Sequence, residues 1–332
     1  MIWEWIIKSV LLILVMLVGF AYVTLYERKV LARMQVRVGP NRAGPSGLLQ
    51  PVADGIKLIF KEELIPAMAD KKIFLLAPVI TVVPALILLA VVPWGRTAPF
   101  FGREITLYLA DINVAVLYIT AIASISVYGI VLAGWSSSNK YATMGGIRST
   151  AQMISYELAL GLSFVGPILI AGTMSMLGIV DKQQEIGWFA LYQPVAFLIF
   201  FIATLAETNR APFDMPEAEQ ELTAGYHTEY SGMKFALFYM AEYDKMIAVS
   251  AIAATLFLGG FDGPFVDQIP WLGPLYLFIK IAFMLFLMIW VRATLPRIRY
   301  DHLMAFGWKV LLPVSLLNIM VTALVIVLVG GG

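Results

Sequence analysis

The stretch IFLLAPVITVVPALILLAVVP, residues 73–93, contains no charged side chain. A helix rises about 1.5 Å per residue, so about 20 apolar residues cross the ~30 Å hydrocarbon core of a bilayer. Seven further runs have a similar length and character. The sequence therefore predicts an all-α integral membrane protein, one polytopic domain over residues 1–332. Its eight spans are predicted near 5–26, 73–93, 112–135, 149–172, 187–206, 235–258, 275–295 and 308–329.

Composition supports a membrane protein. Hydrophobic residues make up 60% of the 332 residues and charged residues only 14%, whereas soluble domains carry about 25% charged residues. Cysteine is absent and there are two histidines. Disulfides and thiolate-held clusters are therefore excluded. We expect this chain to carry no metal and no redox cofactor of its own, and to bind no nucleic acid.

The distribution of lysine and arginine predicts the orientation, because basic residues concentrate in cytoplasmic loops. Seventeen of them lie in or beside the loops after the odd-numbered spans, four lie on the other side, and two lie within spans. We therefore expect both termini on the outer, periplasmic side. The loops 33–72 and 207–234 would then face the cytoplasm.

The first cytoplasmic loop has two parts. Residues 39–47, GPNRAGPSG, are too rich in turn residues for a regular helix. After them, apolar residues from Leu49 to Phe60 recur at helical spacing, which indicates an amphipathic helix of about 12–14 residues at the membrane interface. This helix is either a surface anchor or a wall of a cavity that is entered from the bilayer.

The loop 207–234 is densely acidic. Six carboxylates there face one arginine, Arg210. Asp214 and Glu217 fit the cap and first turn of a helix that would end near Gly225. Capping does not explain Glu221, four residues after Glu217. The loop is thus either a solvated helix start or a proton-handling site of coupled acids.

Two acids are predicted near the middle of the membrane. Glu157 lies nine residues after Arg148, and Glu242 eight residues after Lys234. An ionisable group at that depth usually faces a polar interior and has a function. Glu242 is three residues from Lys245, so a local ion pair is the simple alternative for it. Glu157 has no basic residue near it in its own helix.

Many motifs, in order along the chain, resemble one family. The family of the H subunit of bacterial NADH:quinone oxidoreductase, whose mitochondrial counterpart is complex I subunit 1, has similar sequences over about residues 20–325. The motifs that carry the resemblance are Glu27-Arg-Lys29, Gly39-Pro-Asn-Arg42, the run Gly47–Lys57, Gly134-Trp-Ser136, Ser155-Tyr-Glu157, the acidic loop, Ala241-Glu-Tyr243 and the run Arg292–Asp301.

The resemblance implies a membrane-arm component of a proton-pumping complex in the bacterial plasma (inner) membrane. Such a component forms the quinone chamber with the peripheral arm and couples quinone reduction to proton translocation. Quinone would be the substrate, while NADH, FMN and iron–sulfur clusters would be bound by other subunits. The implied partners are peripheral-arm iron–sulfur and quinone-site subunits on the cytoplasmic face, small and antiporter-like membrane-arm subunits, and lipid.

The resemblance also implies roles for individual residues. The predicted quinone-site residues are Arg28, Arg37, Asp54, Lys57, Phe60, Arg210, Phe213, Arg292, Arg297 and Arg299. The predicted proton path comprises Glu157, Glu207, Asp214, Glu217, Glu219, Glu221, Glu229 and Glu242. Asp244 and Lys245 receive no role.

Two other classes of function are compatible with part of the pattern. The membrane anchor of a related energy-converting hydrogenase shares the Pro-Phe-Asp and Glu-Ala-Glu-Gln-Glu core, but the Gly-Pro-Asn-Arg segment favours the quinone enzyme. A stand-alone secondary transporter predicts inverted repeats around a midplane site, and the sequence contains no clear repeat.

Overall fold

The computed structural model describes residues 2–100, 103–214 and 225–330. Its first half contains helices and one small β-hairpin, which lies between the third and fourth helices. The hairpin pairs β1 (Thr97–Phe100) with β2 (Arg103–Thr106) in antiparallel register and was not expected from the sequence. The helices of this half are α1 (Ile2–Met34), α2 (Gln50–Ile59), α3 (Lys71–Ile87, extended by the 3-10 turn Leu88–Val91), α4 (Ala115–Ser136) and α5 (Lys140–Ala171).

The described elements of the second half are helices and helical turns joined by loops. A short 3-10 turn, Gly225–His227, precedes its longest helix. The helices are α6 (Met176–Ile186), α7 (Phe189–Tyr192), α8 (Pro194–Glu207), α9 (Gly232–Phe257), α10 (Leu272–Thr294), α11 (Tyr300–Phe306) and α12 (Leu312–Gly330), with a π-helical turn, Gly307–Leu311, between the last two.

Six helical segments in the described residues are long and apolar enough to cross a membrane, which confirms a helical integral membrane protein. They are Trp3–Met34, Lys71–Val91, Ala115–Ser136, Lys140–Ala171, Leu272–Thr294 and Tyr300–Val329. The other two predicted spans correspond to α8, which has 14 residues, and to α9, which carries four charged side chains. The number of crossings and the sides of the termini stay predictions.

Polar caps fix the ends of several helices. The Asp70 side chain accepts hydrogen bonds from the backbone N–H groups of Lys72 and Ile73 at the start of α3. Asn139 caps α5 in the same way through the N–H of Tyr141. At the other end of α5, Gly172 adopts a left-handed φ of 68°, a conformation that glycine adopts readily.

Small residues allow α3, α4 and α5 to pack closely, as is common between membrane helices. A Cβ atom at Gly129 of α4 would lie 2.0 Å from the Thr81 hydroxyl of α3. One at Gly134 would lie 2.6 Å from the carbonyl oxygen of Ala142 in α5. Helix α9, in which every residue from Tyr243 to Phe257 is buried, packs mainly against α3, α10 and α1. Polar side chains of α9 therefore face the protein interior.

The predicted turn-rich segment and the helix after it are both present. Residues 39–47 contain no α-helix, only the 3-10 turn Pro45–Gly47. Helix α2 begins at Gln50, where Pro51 favours a first turn, and has 10 residues, fewer than predicted. It contains no buried residue. Its exposed apolar side chains suit a membrane surface, but that position stays a prediction.

Candidate functional site

The loop after α8 carries a buried arginine into the space between α1 and α9. The Nη1 atom of Arg210 lies 3.2 and 3.3 Å from the two carboxylate oxygens of Glu27, and its Nε lies 2.8 Å from Oε1 of Glu242. The guanidinium also lies over the Tyr243 ring, 4.3 Å from its centroid. A buried charge is costly unless it is paired, and Arg210 is paired on two sides.

A second guanidinium completes this group. Arg292 of α10 also contacts the Glu27 carboxylate, so two arginines share one acid. Burial disfavours the charged form of Arg210, but the carboxylates of Glu242 and Glu27 outweigh it and raise the pKa of Arg210. The Arg210 side chain therefore stays cationic at physiological pH. We call Glu27, Arg210, Glu242, Tyr243 and Arg292 the arginine cluster.

Backbone contacts hold the Arg210 loop in place. The side-chain amide of Gln152 in α5 donates to the carbonyl oxygens of Ala206 and Phe213, both at 2.7 Å. The N–H of Ile298 donates to the Pro212 carbonyl at 3.0 Å. The loop is thereby fixed both to α5 and to the segment that follows α10.

Further charged groups lie beyond the arginine cluster. Glu157 of α5 accepts a hydrogen bond from the Ser124 hydroxyl of α4. Glu207, at the end of α8, and Lys245 of α9 are both buried. Within the described ranges, neither Oε2 of Glu207 nor Nζ of Lys245 has a hydrogen-bond partner. The carboxylates of Glu207, Glu157 and Glu242 all act electrostatically on the Lys245 ammonium group.

Two small cavities connect these groups. One, of about 30 Å³, is lined by Glu207, Glu242, Lys245 and His227 among others. The second, of about 10 Å³, is lined by Glu157 and Glu207 with apolar side chains. One water needs roughly 10–15 Å³ of such space, so the first has room for about two waters and the second for about one. Glu207 borders both cavities.

The predicted quinone-site residues separate into two places. Arg28 lies 2.7 Å from the Asp54 carboxylate, and Lys57 lies 3.8 Å from it, at the junction of α1 and α2. Phe60, next to this pair, is 85% exposed. Arg37 donates to the Gln35 side chain. Arg28 and Lys57 thus pair with Asp54 of α2, and Arg37 lies just after the end of α1. None of these residues belongs to the arginine cluster.

The remaining predicted quinone-site residues lie near the Arg210 loop. Phe213 is buried, with its ring centroid 5.4 Å from that of Tyr156. Arg292 belongs to the arginine cluster. Arg297 and Arg299 lie in the segment between α10 and α11, where Arg299 forms an exposed pair with Asp301 at 3.0 Å.

The predicted acids are only partly brought together. Glu157, Glu207 and Glu242 line the two cavities. Glu229 instead accepts a hydrogen bond from Asn139 at the start of α5, at 2.7 Å, and lines an open groove there. Asp214 is the last described residue of its loop. The predicted helix after it, with Glu217, Glu219 and Glu221, lies outside the described residues.

The simple ion pair considered for Glu242 and Lys245 is not the pairing that the structure gives. Glu242 pairs with Arg210, which comes from a loop distant in sequence. Lys280 of α10 donates to the carbonyl oxygens of Gly260 and Asp262 at 2.8 and 2.7 Å. Asp244 is fully buried, and its oxygens have no hydrogen-bond partner in the described residues.

Three residues of the site were absent from the predicted set: Glu27, Tyr243 and Lys245. Glu27 and Tyr243 stand inside recognised motifs, and this is the signal that pointed toward them. Lys245 had only its spacing from Glu242. Within the described parts of the chain, no group of three or more His, Cys, Asp or Glu side chains is placed to hold a metal ion.

Fold and site together define a multi-pass helical membrane protein whose interior holds paired charges and further acidic and basic side chains. The chain belongs to the NADH dehydrogenase family, whose model matches residues 7–323. This confirms the resemblance predicted from the motifs. Similar proteins include the NADH-quinone oxidoreductase H subunit of Thermomicrobium roseum, 55% identical over 97% of each chain. The H subunit of Protochlamydia amoebophila is 54% identical over 91% of each chain, and subunit 8 of Thermus thermophilus is 50% identical over 98% of this chain and 88% of its own.

Proposed function

We propose that this chain is the membrane-arm subunit of a proton-pumping NADH:quinone oxidoreductase that forms the quinone chamber with the peripheral arm. In this proposal it couples quinone reduction to proton translocation. The names of its relatives support the complex. One observation supports the coupling role above all: buried and partly buried charged groups continue from the arginine cluster through Glu242 and Glu207 to Glu157.

The arginine cluster offers a way to couple the two processes. Arg210 is shared between Glu27 and Glu242. Quinone reduction consumes protons, so the charge near the chamber changes during turnover. A new negative charge there would draw the guanidinium away from Glu242, whose carboxylate would then take up a proton. Removing an opposite charge favours the protonated form of a carboxyl group.

From Glu242 the proton would move toward Glu157 through Glu207. The two cavities have room for the few waters that such a transfer needs, and Glu207 borders both. Ser124, which donates to Glu157, would hold that carboxylate in place. Glu217, Glu219, Glu221, Asp214 and Glu229 stay proposed members of the path on family resemblance.

We propose that quinone enters from the lipid beside α2. The Arg28–Asp54 pair fixes α2 to the end of α1. Val52, Ile56, Ile59 and Phe60 are exposed there, as suits a helix at the membrane surface. Arg28, Arg37, Lys57 and Phe60 would line the entrance. Phe213, Arg297 and Arg299 would face the chamber with the arginine cluster.

The rest of the arrangement follows from this role. We propose eight crossings, with α8 and α9 as the two less apolar ones, both termini outside, and residence in the bacterial plasma membrane. Peripheral-arm iron–sulfur and quinone-site subunits would dock on the cytoplasmic face, and small and antiporter-like subunits would pack beside the spans. Quinone would be the substrate. NADH, FMN and iron–sulfur clusters would be held by the partners.

Purification of the tagged chain after mild detergent extraction tests this proposal. Co-purification of flavin and iron–sulfur subunits with antiporter-like subunits, together with inhibitor-sensitive NADH:quinone reductase activity, is the expected result. A complex that evolves hydrogen without reducing quinone would support the hydrogenase-anchor alternative and contradict the proposal. Recovery of the chain alone from membranes with full transport activity would contradict it as well.

A further inference from the structure

Lys245 is a basic side chain in the interior of the protein, in the fully buried part of α9. It stands three residues after Glu242, on the same side of the helix. Its ammonium group lines the larger cavity together with Glu242 and Glu207. Within the described residues, the Nζ atom has no hydrogen-bond partner, so no ion pair there fixes it to one acid.

The neighbouring charges divide into two groups. Glu27 and Glu242 are already paired with the guanidinium groups of Arg210 and Arg292. Glu157 and Glu207 form no ion pair in the described part of the chain, and Glu207 lines the same cavity as Lys245. Lys245 shares the larger cavity with Glu207 from α8, Tyr226 and His227 from the 3-10 turn, and Glu242 from its own helix. Arg210 lies beyond Glu242, and Glu157 from α5 lines the smaller cavity, which Glu207 also borders.

We propose that Lys245 is a proton-exchanging residue of the path, the group that links Glu242 to Glu207 and Glu157. This inference rests on the proposed coupling function and adds a residue to it. In the exchange, an N–H bond of the ammonium group breaks and an O–H bond forms on Glu207, directly or through a water. The neutral amine then takes the proton of the Glu242 carboxyl group. One proton has moved from Glu242 to Glu207, and Lys245 is an ammonium again.

The surroundings suit a lysine that changes its charge. Burial favours the neutral amine, whereas the three carboxylates favour the ammonium. Arginine cannot replace lysine in this role, because a guanidinium does not lose its proton in proteins. A comparison of lysine with arginine at position 245 therefore distinguishes proton exchange from charge compensation alone.

The test compares Lys245→Met, Lys245→Gln and Lys245→Arg in the whole complex, reconstituted into vesicles. The measurements are NADH oxidation by ferricyanide, NADH:quinone reductase activity from about pH 5.5 to 8.5, and proton movement per electron. Lys182→Met is the control, because Lys182 is exposed and pairs with Glu185 at 2.7 Å.

We expect all three Lys245 variants to keep ferricyanide activity and to lose coupled turnover by at least about tenfold, since a proton-transfer group is removed. The Met and Gln variants should also shift the pH profile toward alkaline values, because the acids lose an opposite charge and hold their protons to higher pH. The Arg variant keeps the charge and should lose turnover without that shift.

Two results would overturn the inference. Native turnover and native proton movement in Lys245→Arg would reduce Lys245 to a fixed counter-charge. Native behaviour of the Met or Gln variant would remove it from the path altogether. If the Met and Gln complexes fail to assemble, the turnover and proton movement of the Lys245→Arg complex test the inference. Failure of the proposed function is a different outcome, because the unmodified complex would then reduce no quinone or move no protons.

Discussion

The Nε atom of Arg210 lies 2.8 Å from the Glu242 carboxylate, although the two residues belong to different elements. The same guanidinium reaches Glu27 of α1 through Nη1. Glu242 and Glu27 therefore share one base, the guanidinium of Arg210. Such a shared base can respond to a charge on one side by releasing a carboxylate on the other.

The first prediction concerns Arg210 itself. Arg210→Gln leaves Glu27 and Glu242 without this partner, and breaking a buried ion pair costs about 3–5 kcal/mol. We expect a large fall in the yield and thermal stability of the assembled complex. Arg299→Gln is the control, because its pair with Asp301 is exposed and is worth at most about 1 kcal/mol. Equal stability of the two variant complexes would contradict the role of the arginine cluster.

The second prediction concerns Glu157. Glu157→Gln preserves the volume and removes the titrating proton, so the complex should assemble while coupled turnover falls on the order of tenfold or more. Ser124→Ala removes the donor to this carboxylate and should cause a smaller loss. The measurement is NADH-driven proton uptake in vesicles. Native rate and proton-to-electron ratio in Glu157→Gln would show that Glu157 is structural.

The third prediction concerns α2. Lys57→Ala and Phe60→Ala should weaken inhibition by quinone-site inhibitors more than they weaken NADH oxidation by a soluble artificial acceptor. The reason is that both side chains are exposed beside the proposed entrance, whereas artificial acceptors take electrons before quinone. An unchanged inhibitor titration, with both activities falling in parallel, would indicate that α2 is only an anchor.

The fourth prediction concerns helix packing. Gly129→Ala places a Cβ atom 2.0 Å from the Thr81 hydroxyl and should destabilise the protein by about 1–3 kcal/mol through overpacking. Gly161→Ala is the matched control in α5, because its Cβ atom would meet nothing within 4 Å. The thermal midpoint of the purified complex distinguishes them. Loss of stability in Gly161→Ala alone would contradict the described packing of α3 and α4.

Much of the fold was predictable because lipid imposes one rule on backbone groups, namely helices of about 20 apolar residues. That rule located the helical span Lys71–Val91 and its counterparts. It did not reveal the hairpin Thr97–Thr106, because short strands leave little pattern. It also predicted one continuous span near 187–206, where the structure has the short helix α7 and the 14-residue α8.

The site was less predictable, because its pairs join residues far apart in sequence. Spacing alone suggested a Glu242–Lys245 pair. In the structure, Glu242 pairs with Arg210, because the loop after α8 brings Arg210 next to α9. The place of Glu229 beside Asn139 likewise depends on tertiary contacts. The partial burial of Glu157 and Glu242 between helices could be anticipated, because charges at membrane depth avoid lipid.

The central claim is that protons pass through Glu207, which borders both cavities. Its most direct test is the proton-to-electron ratio of reconstituted complex carrying Glu207→Gln, a substitution that keeps the side-chain shape. Glu185→Gln is the control, because Glu185 is an exposed acid paired with Lys182. The account predicts intact ferricyanide activity with a clearly lowered ratio in Glu207→Gln and a native ratio in the control. A native ratio at a native rate in Glu207→Gln would contradict it.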